Sequence, residues 1–155
     1  MTAGPGDRQL AAWRAFLRAH ATVVERLDHE LRAEQGLPLS WYEVLLHLAG
    51  APEDRLRLSE LASVVLLSRS GITRLVDRLA AAGLVERQVC PTDRRGAFAV
   101  LTGLGRARLR EAAPVHLRGI QEHFAAHLAE EEVDAIRRGL DRVAGAGSDR
   151  EAART

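Results

Sequence analysis

The chain has 155 residues, 46% of them apolar and 28% charged, with a formal net charge of +1; that is one domain's length, enough to bury a core without disulfides or metal and too apolar for wholesale disorder. No apolar run approaches the roughly 18 residues needed to span a bilayer, Met1 to Gly6 lacks the cationic start and apolar stretch of a signal peptide, and the one cysteine, Cys90, excludes an internal disulfide framework. A soluble, cytoplasmic protein with no membrane contact is expected.

Asp7 to about Glu34 reads as a helix, with Leu10, Trp13, Leu17, His20, Val24, Leu27 and Leu31 forming a heptad-like seam in steps of three and four. Gly36 and Pro38 end it. Ser40, with Glu43 three residues on, has the pattern of a capping box; Trp41, Val44, Leu45 and Leu48 give the helix it opens an apolar face. Gly50 to Asp54 reads as a loop. A short helix follows from Ser59, its expected cap, to about Val65. Another runs from Ser68 to Ala82, with Ile72, Leu75, Val76 and Leu79 on one face and Ser70, Thr73, Arg74, Asp77 and Arg78 on the other. Gly83 stops it.

Leu84 to Val89 can be a strand, Cys90 to Gly96 a charged turn punctuated by Pro91 and Gly96, and Ala97 to Leu101 a second strand. Helical spacing resumes from Leu104 to about Leu128, with a kink or break expected at Pro114 and Gly119. A last helix spans Glu130 to Val143, and from Gly145 a frayed tail is expected. There is no internal repeat.

Charge is distributed unevenly. Five Arg against eight acids give Met1 to Asp54 a charge of −3; eleven Arg against four acids give Arg55 to Arg110 +7; six Arg against nine acids give Glu111 to Thr155 −3. A basic centre between acidic flanks suits a DNA-contacting module. All 22 basic residues are Arg. A GC-rich genome is the simpler reading of that bias, although the planar guanidinium also suits phosphate and guanine. Helix, turn, helix and hairpin with an Arg-bearing tip is the order of a winged helix-turn-helix, whose second helix lies in the major groove and whose N-terminal N–H groups can face a phosphate. Arg74 and Arg78 stand one turn apart on one face. The sequence has no Ser-His-Asp set, no phosphate loop, no HExxH and no close carboxylate pair, so an enzyme is not expected. A winged helix that binds protein instead of DNA is the other alternative, and the basic centre argues against it.

The run Leu67-Ser68-Arg69-Ser70-Gly71-Ile72-Thr73-Arg74-Leu75-Val76-Asp77-Arg78-Leu79, then Gly83-Leu84-Val85-Glu86-Arg87, strongly resembles the recognition helix and first wing strand of MarR-family regulators. Asp93-Arg94-Arg95 followed by Leu101-Thr102 and Gly105 is similar to that family's wing signature, and Leu39 to Leu48 to its preceding helix. The likeness covers about Leu10 to Val143. It implies a mainly α fold with a small β-hairpin wing: a disordered 1–6, a single domain over 7–144 (winged helix about 40–102, dimerisation helices about 7–34 and 104–144), and a flexible 145–155. It implies a homodimeric repressor of double-stranded DNA with a pseudo-palindromic operator, released by a small aromatic or amphipathic effector.

By position, the resemblance places Ser68, Arg69, Ser70, Thr73 and Arg74 in the major groove, with Arg74 reading a base and Arg78 a turn further along the face. Arg95 is placed in the minor groove, Asp93 orients the tip, and Arg94 reaches either minor groove or phosphate. Leu66 in the turn and Ala99 in the wing depart from the usual residues. Trp13, Phe16, His20, Trp41 and Tyr42 are candidates for an effector pocket; ordinary core or interface roles fit them too. Cys90, near Arg87 and Arg94, admits a redox role. His116, His123 and His127 fall on a terminal helix; the last two, at i and i+4, could share a metal, with His29 and Glu30 as further ligands. Surface or interface roles suit these better, and no metal or cofactor is expected.

Overall fold

The computed structural model describes residues 4–65 and 67–152. Six helices and a three-stranded sheet follow in the order α1 (Asp7–Gln35), α2 (Leu39–Ala49), β1 (Arg55–Arg57), α3 (Leu58–Val64), α4 (Arg69–Ala81), β2 (Val85–Cys90), β3 (Asp93–Leu101), α5 (Gly103–His123) and α6 (Glu130–Ala152), with single 3-10 turns at Pro52–Asp54 and Ala125–His127. The mainly helical class with a small wing is as expected.

α1 ends where anticipated. Gly36 adopts φ +61°, its N–H bonds to the Arg32 carbonyl, and Leu37 N–H reaches the Leu31 carbonyl, a closure that favours glycine because it needs the left-handed region. α2 is capped differently from the expectation. Pro38, not Ser40, precedes its first residue, and the N–H of buried Leu39 donates to Asp28 Oδ1 at 2.8 Å. The cap thus comes from α1, eleven residues back, and Ser40 lies inside the first turn. At α3 the correction is similar: the helix begins at Leu58, and the Arg57 N–H donates to the Glu60 carboxylate at 2.9 Å, so Ser59 is not the cap. Ser68 does cap α4, its Oγ accepting from Gly71 N–H at 3.1 Å. Leu66 lies outside the described residues.

β1 falls between the expected loop, Gly50 to Asp54, and the expected helix from Ser59, where the sequence suggests no element. It pairs with β3 (Leu56 opposite Ala99), and β3 pairs with β2 (Val85 opposite Leu101), giving an antiparallel order β1-β3-β2. The paired hairpin extends to Cys90 opposite Asp93, so the turn shrinks to Pro91 and Thr92. α5 runs unbroken through Pro114 and Gly119. Pro114 removes one intrahelical donor, and buried Leu109, Ala112 and Val115 on either side hold the backbone to the core. The break comes at Phe124, whose φ of −131° and ψ of −65° leave the helical region. α6 continues to Ala152, past the position where its apolar steps end.

One core joins these elements: Leu27 and Leu31 of α1, Val44, Leu45 and Leu48 of α2, Leu61 of α3, Ile72, Val76 and Leu79 of α4, Ala99 of β3 and Leu109 of α5. The corner between α4, β2 and α5 is tightly built. Gly83, at φ +75°, turns the chain. Thr102 Oγ1 donates to the Gly83 carbonyl at 2.7 Å and accepts from Gly105 N–H at 3.0 Å. A Cβ on Gly105 would stand 2.0 Å from the Leu84 carbonyl oxygen, so only glycine fits there.

Candidate nucleic-acid interface

α4 is amphipathic because its apolar residues recur at helical spacing. Ile72, Leu75, Val76 and Leu79 are buried, which turns Ser68, Arg69, Ser70, Arg74, Asp77 and Arg78 to solvent and leaves Thr73 at the margin. Local bonds hold its N-terminus. Ser68 and Ser70 hydroxyls lie 3.2 Å apart, and Thr73 Oγ1 donates to the Arg69 carbonyl at 2.8 Å; the Thr73 oxygen remains an acceptor toward an incoming group. Five of the six recognition-helix residues singled out from the sequence, Ser68, Arg69, Ser70, Thr73 and Arg74, therefore gather toward the capped N-terminal end of the helix, and Arg78 lies exposed in its last turn.

The sheet stands beside that face. Arg87 of β2 donates to Asp77 of α4 at 2.7 Å, fixing the hairpin's base to the recognition helix. Between them lies an open cleft of about 400 Å³, lined by Arg57, Leu58 and Ser59 at the start of α3, Arg69, Ile72 and Thr73 of α4, and Arg87, Gly96 and Ala97 of the hairpin. Three arginines, Arg57, Arg69 and Arg87, help line it. Arg55 and Arg57 flank Phe98, their guanidinium carbons 5.0 and 5.3 Å from its ring centroid, a cation–π arrangement that steadies two long side chains. Arg57, Ser59 and Arg87 were not singled out as site residues by sequence. They come from three separate elements, and the alternation of Arg55-Leu56-Arg57 is their one local signal. The backbone of Asp93, Arg94 and Arg95 belongs to β3; the roles expected of their side chains lie outside the described residues.

The five candidate pocket residues separate. Trp13, Phe16 and His20 form an exposed row on α1, ring centroids 6.0 and 6.2 Å apart. Tyr42 is buried against His116, centroids 4.4 Å apart, and Trp41 packs half-buried on the core. Burial raises the Glu43 carboxyl above its usual range, against the opposing pull of His47 and His20. Burial also pushes His116 below its usual range, so this ring is a core-edge residue and not a surface one. Cys90 is buried, its Sγ 3.3 Å from Thr92 Oγ1, without the access a sensor thiol needs. His123 closes α5 and His127 sits in the following 3-10 turn, so the two do not share a helix face at i and i+4. Among the described residues one group of metal-ligating side chains converges, Glu30, Glu122 and His123, and it lies between α1 and α5, not at this face.

A capped, Arg-bearing second helix with a three-stranded wing fixed against it defines a winged helix-turn-helix DNA-binding unit. The sequence model of the MarR family matches residues 35–96. AbsC, a MarR family transcriptional regulator from Streptomyces coelicolor, is 33% identical and superposes with a TM-score of 0.83 over 96% of this chain and 99% of its own. Sco3205, a MarR family transcriptional regulator of the same organism solved in complex with DNA, is 32% identical with a TM-score of 0.84 over 93% of this chain and 90% of its own. The HTH-type transcriptional regulator MhqR of Bacillus subtilis is 29% identical over 139 residues, 88% of this chain and 92% of its own. The chain belongs to the MarR family. It is a DNA-binding transcriptional regulator, not an enzyme, and among the described residues no helix is long and apolar enough to cross a membrane.

Proposed function

We propose that the protein is a cytoplasmic homodimeric repressor that binds a pseudo-palindromic operator and leaves it when a small aromatic or amphipathic ligand binds. The observation that carries the reading is the juxtaposition of the exposed Ser68-to-Arg78 face with the Arg57, Arg69 and Arg87 cleft. A helix that offers base-reading side chains beside clustered phosphate-seeking guanidinium groups suits duplex DNA and little else. In this reading Ser68, Arg69, Ser70, Thr73 and Arg74 occupy the major groove, Arg74 contacts a base edge, Arg78 follows it one turn on, and the wing residues Asp93, Arg94 and Arg95 serve the adjacent minor groove. Arg57 and Arg87 take phosphates. Two copies pair through the apolar residues that α1 and α6 leave in solvent, among them Trp13, Leu17, Val133 and Val143, and set half-sites about 10 bp apart. The exposed row Trp13, Phe16 and His20, with half-buried Glu43 of α2 near enough to feel the charge of His20, supplies the stacking and polar groups for the ligand.

Electrophoretic mobility shift and footprinting on DNA upstream of the protein's own gene test it. A two-fold footprint whose affinity falls steeply with salt, as released counterions require, is expected, with release by an aromatic compound. A protected single half-site removes the dimer, and a salt-independent or absent shift removes the DNA contact.

A further inference from the structure

Where the last turn of α5 lies on α1, outside the DNA-binding lobe, Glu30, Glu122 and His123 bring one ligand atom each within 4.8 Å of one another. His123 Nε2 stands 2.5 Å from Glu30 Oε1. The second oxygen, Glu30 Oε2, is buried and has no hydrogen-bond partner, an arrangement that costs a carboxylate its hydration. The fold makes room for it. Gly119 lies opposite, and a Cβ there would come within 2.8 Å of Glu30 Oε2 and 2.5 Å of Leu27 Cδ2. An ordinary His–Glu ion pair accounts for Oε1. It leaves Oε2 buried and places Glu122 beside the pair as a second negative charge.

We propose that Glu30, Glu122 and His123 form a site for a divalent first-row transition cation, with one carboxylate from α1, a carboxylate and an imidazole from the end of α5, and water completing the shell. An ion entering between Nε2 and Oε1 spreads their 2.5 Å contact to the wider edge of a tetrahedron with bonds of about 2.0–2.2 Å, and the exposed Glu122 swings inward as the third donor. Two oxygens and one imidazole nitrogen with no sulfur suit Zn²⁺ or Mn²⁺, and the nitrogen disfavours Mg²⁺ and Ca²⁺, which take oxygen ligands. Binding at Nε2 needs the neutral ring with its hydrogen on Nδ1, so Nε2 gives up the hydrogen it shares with Glu30 and Nδ1, now an acceptor from Arg26, takes one up. Arg26, whose guanidinium now lies 3.4 Å from Nδ1, is exposed and turns away; its positive charge opposes the cation. The site clamps α1 to α5 beside the Arg118–Glu34 ion pair. It is independent of the DNA-binding reading, and its test contains no DNA.

The test is calorimetric titration of the metal-free full chain with Zn²⁺, and with Co²⁺ followed by visible absorption. One Zn²⁺ per chain is expected, with Co²⁺ bands distinct from those of the hydrated ion. Because Glu122 is on the surface, Glu122→Gln leaves the fold intact by circular dichroism, and it should weaken Zn²⁺ at least about tenfold. His123→Ala should abolish the cobalt bands, Arg26→Ala should tighten binding several-fold, and His127→Ala should change nothing. Substoichiometric binding overturns the proposal. So does a parent-like affinity in Glu122→Gln and His123→Ala, which would place the ion on another of the six histidines.

Discussion

The DNA-binding lobe and the helical ends of this chain are built to opposite standards. Every buried apolar side chain among the described residues lies between Leu27 and Val115. The first five turns of α1 and the described side chains of α6 contribute none, yet they carry Trp13 at 56% exposure and Val143 at 72%. The lobe closes its core with the last turns of α1 and the first half of α5; beyond them the ends carry the same apolar periodicity in solvent. A periodic stripe of this kind is what a second surface covers. The difference teaches that hydrophobic spacing in a sequence reports that a face will be covered, not by which chain.

The strongest way to break that contrast is to charge the stripe. If the proposed dimer pairs through this stripe, Leu17→Asp combined with Val24→Asp should abolish it in sedimentation velocity at micromolar concentration and cost operator binding at least about a hundredfold, because each half-site then binds alone. A dimer that survives would show that the pairing surface lies elsewhere. Gly105→Ala attacks the lobe instead. The added methyl meets the Leu84 carbonyl oxygen, a backbone atom, and overpacking against backbone should cost about 3 kcal/mol or more in urea unfolding. A loss within about 0.5 kcal/mol, the usual bound for surface substitutions, would mean the corner is loose.

Two arginines sharpen the lobe's internal division. Arg74→Ala should lose about 1–3 kcal/mol on the specific operator and relax preference at one position per half-site. Arg95→Ala should weaken binding most where the flanks are A·T-rich, with half-site preference kept. Selection from randomised operators separates them: a uniform loss for Arg74→Ala makes it a phosphate clamp, and unchanged binding for Arg95→Ala takes the wing off the DNA.

The smallest effect concerns the seam between the two regions. Burial raises the Asp28 carboxyl, but the hydrogen bonds from Arg32 and from Leu39 N–H, with the charges of Arg32 and His29, lower it further, and the net shift is downward from 3.8. A carboxylate whose folded value is depressed contributes stability above its unfolded value and loses it as pH falls through the folded one. Acid unfolding of the parent should therefore begin below about pH 4, and Asp28→Asn should blunt that step. At neutral pH the cost should be about 1 kcal/mol, the usual value for a lost cap, with the exposed part of the ion pair screened.

Much of this was legible in the chain. α4 and the hairpin were, because Ile72, Leu75, Val76 and Leu79 are spaced for a helix and Gly83 and Pro91 mark its exits. β1 was not, since three residues with a single inward side chain, Leu56, are a strand only by pairing with β3 forty residues on. The caps of α2 and α3 were misplaced because nearby serines look like caps, whereas Asp28 reaches Leu39 across a turn and Glu60 acts from within its own helix. α5 survives Pro114 because tertiary packing outweighs one lost bond. The recognition face was readable from periodicity; the Arg57, Arg69 and Arg87 cleft was not, because its walls meet only in three dimensions.

The Gly83, Thr102 and Gly105 corner has a mechanical consequence. It joins the exit of α4 to the entrance of α5 through two hydrogen bonds on one threonine and a contact too close for any side chain. α5 is thereby a lever with its short arm bolted to the exit of α4. A displacement applied near Ile120 or His123, some four turns away, is expected to reach α4 through that corner, scaled by where along α5 the fulcrum against α1 falls.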